Sequence, residues 1–573
     1  MKRILQPWLL PLLLGAFVVV AGCSTSQYRK SADREAYGAI SAKSPGVKNM
    51  DPNFTIEQTN ALSLEGLPVA AQVEEFLGAD GQREKGAYVL SLEQALHLAV
   101  LHSRQYQLQK EQLYLSALGL TLTRHQFTPI FSAGGQARYN VSTEQAVQLQ
   151  PDPSNPTNFI PVLSDQLVER NSVDANARVG ADWLIRDVGR ISAAFTTDFF
   201  RFLSGNPGTV TSSQLGATLI RPLWRNAGFK QEIENLTQAE RNLLYALREF
   251  TLFRKRFSVD VATSYYQVLG SRDQVRNSYL NLQSSKKNAE RTRALAREGR
   301  VTQADLGRLE QQELSAEGAW ISAVRNYKQS LDNFKIQLGL SIDTNLVLDD
   351  KELEQLKINH PSLSVDDSIR VALAARLDYQ TAHDQNEDAK RRVSLAINGL
   401  KPQVDLVAST GINSQREAGT GFPLPDINRY HWDAGFNIDL PLERKAQRNN
   451  YRAALITFEQ SRRALDQRED EIKLQVRDSW RSLDQAKRSY EISEIGVKLA
   501  ERRVEEQNLL AELGRAKAQD QVDAQNDLVS SKNQLTQALV NHTIARLQFW
   551  NNMGILYIKA NGQWEEVNNA KSE

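Results

Sequence analysis

Leu90-Ser91-Leu92-Glu93-Gln94-Ala95-Leu96 returns, in kind and in order, as Leu363-Ser364-Val365-Asp366-Asp367-Ser368-Ile369. The same register carries Tyr106-Gln107 onto Tyr379-Gln380 and Pro129 onto Pro402. A second register links Pro222-Leu223 with Pro441-Leu442, Gly299-Arg300 with Gly514-Arg515, and Asp305 with Asp520. It continues to Phe334 and Gly339, which match Phe549 and Gly554. A long internal repeat of this kind means that one structural unit is written twice. The repeats span residues 86–360 and 361–560, with a polar tail at 23–85 before them and a short tail at 561–573 after them.

Each repeat has the same order of elements. A helix opens it, at about 91–127 and 364–399, with Ser91 and Ser364 placed as N-caps. A proline ends that helix and a strand region follows. No proline occurs between Pro222 and Pro361 or after Pro441, so nothing of that kind interrupts the helical stretches there. Gly299 and Gly514 divide each stretch into a helix of about 70 residues and one of about 38. At 1.5 Å per residue the longer reaches roughly 100 Å, which suits a rod or a tube.

Heptad spacing runs along both long helices. Val476, Leu483, Tyr490 and Val497 recur at intervals of seven, with Ser479, Ala486, Ser493 and Ala500 offset by three. In the first repeat the matching sets are Val261, Val268, Val275, Leu282 and Ala289, and Ser264, Ser271, Ser278 and Ser285. One seam position is large and the other small. That pattern serves a plain antiparallel coil or a wall of helices around a hollow cylinder.

The strand regions alternate with period two. Phe131, Ala133, Gly135, Ala137, Tyr139 and Val141 share one face, and Ser132, Gly134, Gln136, Arg138 and Asn140 the other. Val173 to Trp183 and Trp432 to Leu440 alternate in the same way. A transmembrane barrel strand has this pattern, and so does a strand of a soluble sandwich. Two strands per repeat make four per chain, too few to close a barrel alone, so a membrane barrel needs an oligomer. A further pair around 191–200 and 212–221 leaves open whether four or six strands of each copy enter the membrane.

The N-terminus has Lys2 and Arg3, an apolar run from Leu9 to Val20, and then Val20-Ala21-Gly22-Cys23. This is the layout of a secretory signal over 1–22, with an apolar run too short for an ordinary membrane span. Its last four residues resemble a bacterial lipobox, which implies cleavage before Cys23 and acylation there with diacylglycerol and an N-acyl chain. Ser24 stands where an inner-membrane-retaining aspartate would be, so the resemblance implies the outer membrane.

Composition excludes other classes. The net charge of the 573 residues is +1, without the basic excess that nucleic-acid binding favours. His97 and His102 are five apart, on different sides of a helix, and make no shared metal site. No P-loop, Gly-x-Gly-x-x-Gly, His-Glu-x-x-His or Gly-x-Ser-x-Gly motif occurs, so neither an enzyme nor a resident cofactor is expected.

Two repeats of helix, strand pair, long helix and short helix behind a lipobox resemble the TolC-like outer membrane factor family over about 86–560. The most specific stretch is Gly514-Arg515-Ala516-Lys517-Ala518-Gln519-Asp520-Gln521-Val522-Asp523-Ala524-Gln525-Asn526-Asp527-Leu528, with a looser counterpart at Gly299-Arg300-Val301-Thr302-Gln303-Ala304-Asp305-Leu306. Arg221-Pro222-Leu223-Trp224-Arg225-Asn226-Ala227-Gly228 is similar to the family's passage from barrel to helices. The resemblance implies a tandem-duplicated fold combining a membrane β-barrel with a long α-helical barrel, closed only in a homotrimer. It implies a channel for tripartite efflux, with a periplasmic adaptor and an inner-membrane transporter as partners. The exit duct of a type I polypeptide secretion system is an alternative, and a structural periplasm-spanning lipoprotein is another of a different class. Asp520 and Asp523 match the family's periplasmic gate, and Gly299, Arg300, Asp305, Gly514 and Arg515 its adaptor-contacting tip. The family's basic residue that ties the gate falls at Ala516, between Arg515 and Lys517, which is a departure.

Overall fold

The structure, a computed structural model, describes residues 24–565 apart from 58–63, 65, 204–208, 362, 419–420, 422, 514 and 516. The signal segment, Cys23 and Gly514 therefore lie outside the described residues. The chain forms two compact units, neither of which coincides with a repeat. One comprises residues 1–117, 242–386 and 462–573, and the other 118–241 and 387–461.

Long helices make up most of the first unit and part of the second. Helix α1 is Thr25–Lys43, α2 Leu92–His102, α3 Arg104–His125, α4 Lys230–Arg297 and α5 Gln303–Leu338. In the second repeat, α6 is Val365–Ala375, α7 Leu377–Gly399, α8 Lys445–Glu512 and α9 Ala518–Asn552. Helices α4 and α8 are both 68 residues long, and α5 and α9 are 36 and 35. The paired helices are thus matched in length to within one residue. Ser91 caps α2 in a reciprocal capping box with Gln94, and Ser364 caps α6 by accepting from the Asp367 amide at 3.1 Å.

The opening helix of each repeat is not the single rod that its pattern suggests. It breaks at Ser103 and at Arg376, both with extended backbone. The cause is packing from far along the chain. An added Cβ on Gly339 would lie 2.0 Å from the His102 carbonyl oxygen, and one on Gly554 would crowd Ala375 and Arg376. The C-terminal turns of α5 and α9 therefore press into the two breaks. Both ends carry the same cap: Leu340 N–H reaches the Lys335 carbonyl at 2.9 Å, and Ile555 N–H the Trp550 carbonyl at 3.3 Å.

The heptad seam of α4 is buried as spaced, with Val261, Val268, Val275, Leu282 and Ala289 all in the core. Polar pairs join it to α9, including Asn277 to Asn533 at 2.9 Å and Thr536 to Asp273 at 2.6 Å. The polar N-terminal tail is folded onto this unit. Ala36, Ala39 and Ile40 of α1 are buried, and so are Phe76 and Leu77. Asn49 exchanges two 2.8 Å hydrogen bonds with the backbone of Ile558. Strand β1, Tyr88–Leu90, pairs in parallel with β6, Leu346–Leu348.

The second unit holds one antiparallel sheet. Its strands are β2 Ile130–Asp152, β3 Asn155–Ile185, β4 Gly189–Phe202, β5 Thr209–Pro222, β7 Gln403–Asn413 and β9 Tyr430–Asp439, in the order β2-β3-β4-β5-β7-β9. The short β8, Glu417–Ala418, pairs with β5. The first repeat thus contributes four strands and the second two long ones. The turn at Asp187 follows β3 and leads into β4, whereas β4 and β5 are joined across 203–208. Ion pairs bind the helical parts of this unit, with Arg241 2.9 Å from Asp388 and Arg391 2.9 Å from Glu234.

Candidate functional site

Two places carry the residues singled out by sequence: the turns between the long and short helices in the first unit, and the sheet in the second. In the first turn, Gly299 adopts φ 71°, Gly299 N–H bonds to the Ala296 carbonyl, and Arg300 N–H bonds to the Leu295 carbonyl, both at 3.0 Å. This left-handed cap reverses the chain in very few residues. Thr302 then starts α5, accepting from the Asp305 amide at 3.1 Å and donating to the Asp305 carboxylate at 2.7 Å. Arg300 is exposed, with Glu298 3.7 Å away. Asp305 therefore has a capping role in the first turn of its helix, where a carboxylate is stabilised by the N-terminal dipole.

The second turn repeats this layout: Arg515 N–H bonds to the Leu510 carbonyl at 2.8 Å, and α9 starts after Lys517 without a side-chain cap. Asp520 is exposed in the first turn of α9 and Asp523 is half-buried one turn on. Their spacing of three puts them on one face of the helix. Gln519 donates to the Asp523 carboxylate at 2.8 Å. Gln312 of α5 and Asn526 of α9 bond at 2.8 Å, which sets the two short helices side by side near these turns.

Sequence reasoning missed Asp527 and Arg503. Asp527 extends the face of Asp520 and Asp523 by another turn, and its carboxylate is paired with the Arg503 guanidinium of α8. The spacing of three and then four was the signal available for Asp527. Nothing local points to Arg503, because the pair spans the turn.

The sheet is two-faced across all six long strands. Its register places Phe131, Val179, Phe195, Leu215, Leu406 and Phe436 on one side, with the residues two positions along each strand. The other side carries Arg138, Asp174, Arg178, Asp182, Asp198, Asp405 and Asp433, with Phe200 and Val407 among the few apolar residues. On this polar side Ser192 donates to Asp182 and Ser409 to Asp433. The apolar side is uncovered on the edge strands, where Phe131 is 79% exposed, Trp432 71% and Phe436 66%, whereas Phe195 and Phe199 of β4 are half-buried and Thr211 and Ser213 of β5, on the same side, are buried. Strands β2 and β9 are the free edges. Among the described residues no helix is long and apolar enough to cross a membrane.

The helical unit also has apolar side chains without cover. Ile492, Ile495 and Leu499 are exposed at heptad spacing on the second half of α8, with Leu509 further along and Leu513 just past its end, and Leu314 and Ile321 are exposed seven apart on α5.

Comparison with known proteins agrees with this architecture. Residues 368–554 match the family model described as outer membrane efflux protein. No curated protein matches the chain in sequence. Among solved structures, a membrane protein from Pseudomonas aeruginosa superposes with a TM-score of 0.60 at 13% identity, covering 87% of this chain and 100% of its own. The CmeC outer membrane channel of Campylobacter jejuni gives 0.55 at 12% identity, covering 91% and 97%. The open state of the MtrE outer membrane channel of Neisseria gonorrhoeae gives 0.57 at 12% identity, covering 81% and 89%. At these identities the likeness establishes the fold.

Proposed function

We infer that this chain, whose residues 368–554 match the outer membrane efflux protein family and which has the TolC-like tandem fold, is the outer-membrane channel subunit of a tripartite efflux system. The observation that carries this reading is the sheet of six long strands with one largely apolar face, one largely polar face and two open edges. A sheet can sit in a bilayer only as a closed barrel, because unpaired edge groups have no water to bond there. Copies of the chain supply the closure, edge to edge, with the apolar face toward lipid and the polar face around a lumen.

The exposed stripes on α8 and α5 support the same assembly, since they are seams that one copy leaves unfilled. Three copies make the closed conduit. The turns that hold Arg300 and Arg515 form its periplasmic tip, where both face an adaptor protein joined to an inner-membrane transporter. Asp520 and Asp523 ring the narrow end. Six carboxylates close together repel one another and attract cations, which suits a gate that must be tied shut and can be released. The Asp527–Arg503 pair next to them is a tie of the required kind, and it stands in for the basic residue absent at Ala516. Cys23 anchors the chain by its acyl groups. The channel is passive, and energy comes from the transporter.

The test is planar-bilayer conductance of detergent-purified protein, with the mass measured on the same preparation. A trimer forming small, cation-selective, mostly closed pores is expected. A monomeric or dimeric particle without conductance overturns the reading and moves the function to structural tethering.

A further inference from the structure

The geometry points to a barrel wall of six strands per copy, eighteen in the trimer, with β3 and β4 inserted between the strands that match the second repeat. This rests on the channel reading above. The second repeat supplies one hairpin, β7 and β9, whereas the first supplies β2 and β5 with β3 and β4 between them. Four observations place the additional pair in the membrane wall rather than in water.

The pair lies in the middle of the ladder. Strand β3 bonds β2 on one side and β4 on the other, and β4 bonds β5 from Arg190–Ile220 to Arg201–Thr209. Removing the pair from the membrane would break the sheet at its centre. The two-faced pattern also continues through it without a slip, so that Val179, Phe195 and Phe199 lie on the apolar side and Arg178, Thr196 and Asp198 on the polar side. Length suffices as well: β4 has 14 residues, and a tilted membrane strand needs about 9–11. Finally, β3 and β4 are joined by the short turn Arg186–Val188, at the end of the sheet where Pro222 and Gln403 lie, while at the opposite end β4 and β5 are joined across 203–208, β7 and β9 across 414–429, and β2 and β3 run on past their neighbours to a turn at 153–154. Outer-membrane barrels have short periplasmic turns and longer outer loops.

Closure is consistent with this number. Every neighbouring pair of long strands is antiparallel and the path has six of them, so β2 and β9 run in opposite directions. The β9 edge of one copy therefore meets the β2 edge of the next as an ordinary antiparallel pair. With strands about 4.8 Å apart and tilted by about 40°, eighteen strands give a backbone diameter of about 36 Å, against about 24 Å for twelve. A barrel of that size keeps an aqueous lumen after its inward side chains are placed. The outer part of the conduit is then wide enough for bulky solutes or extended polypeptide, and restriction falls to the helical part.

Spin labels on the full chain in phospholipid vesicles test this. Labels at F195C and F199C are expected to be open to oxygen and shielded from a water-soluble nickel chelate, and those at T196C and D198C the reverse. Labels at W432C and D433C on β9 serve as the reference pair. Aqueous readings at all four β4 positions with alternation kept on β9 overturn the eighteen-stranded wall and leave the channel reading standing. Loss of alternation on both strands overturns both. End-on electron-microscopic averages of the unlabelled trimer give an independent count, with a wall about 36 Å across expected and one about 24 Å across refuting it.

Discussion

The Arg272 guanidinium of α4 lies 2.7 Å from the Glu84 carboxylate in the N-terminal tail, with both side chains withdrawn from solvent. Asp350 at 3.1 Å and the Tyr327 hydroxyl at 2.9 Å complete the surroundings of the cation, and the Phe76 ring stacks 5.4 Å away. Burial alone would lower the Arg272 pKa, but Tyr327, Glu84 and Asp350 outweigh it and hold the group above its ordinary value. The tail is thus docked by a buried charge pair rather than laid loosely over the helices.

Glu84→Ala leaves the buried guanidinium with one carboxylate fewer, and an expected loss of about 2–3 kcal/mol follows. Adding Arg272→Met to that variant is expected to recover part of the loss, since no unpaired charge remains. Denaturant melts of the two variants beside the parent check both statements.

Gly299 and Gly339 both sit in left-handed backbone, at φ 71° and 82°, yet they differ in surroundings. A Cβ at Gly299 meets nothing within 4 Å, so Gly299→Ala is expected to cost about 1–2 kcal/mol from backbone strain alone. A Cβ at Gly339 lies 2.0 Å from the His102 carbonyl oxygen, so Gly339→Ala is expected to disrupt the α2–α3 break and cost more than about 4 kcal/mol. Thermal melts that rank the two variants equally would contradict this.

His542 is fully buried, with neither ring nitrogen hydrogen-bonded, and burial, then Arg546, His360 and Lys487, lower its pKa to about 4. The unfolded chain therefore takes up a proton on this ring at a higher pH than the folded one. Its contribution is fully present above about pH 6.5 and is lost as pH falls toward 4. The loss is on the order of 2 kcal/mol once partial hydration nearby is allowed for. His542→Leu is expected to flatten the melting temperature over that interval, as circular dichroism at stepped pH would read.

Asp520→Ala combined with Asp523→Ala is expected to alter single-channel conductance and to weaken block by multivalent cations severalfold, because the proposed carboxylate ring is removed. Single-channel recordings with unchanged conductance and unchanged block would exclude these residues from the gate.

Cys23→Ser is expected to abolish incorporation of labelled fatty acid, since an oxygen cannot form the thioether. Label that persists in the serine variant would place the anchor elsewhere.

Much of the architecture was legible along the chain. The Ser91 and Ser364 caps, the long helices and the two faces of β2 and β3 depend on residues within a few turns or a strand of one another. Helix and strand periods are local properties, so a short window suffices to read them. The gate and tip candidates were legible only through resemblance, and the structure places Gly299, Arg300 and Asp305 in one turn and Arg515, Asp520 and Asp523 in its counterpart.

Tertiary structure decided what depends on residues distant in sequence. The breaks at Ser103 and Arg376 arise because Gly339 and Gly554 press on backbone that would otherwise continue as helix. Strand order required the pairing of β5 with β7, such as Leu215 with Ile412, which no window of sequence contains. The docking of Glu84, the tie between Arg503 and Asp527, and the burial of His542 have the same origin. Period and propensity determine what each segment becomes. Where segments meet is determined by the packing of the whole chain, which no segment carries by itself.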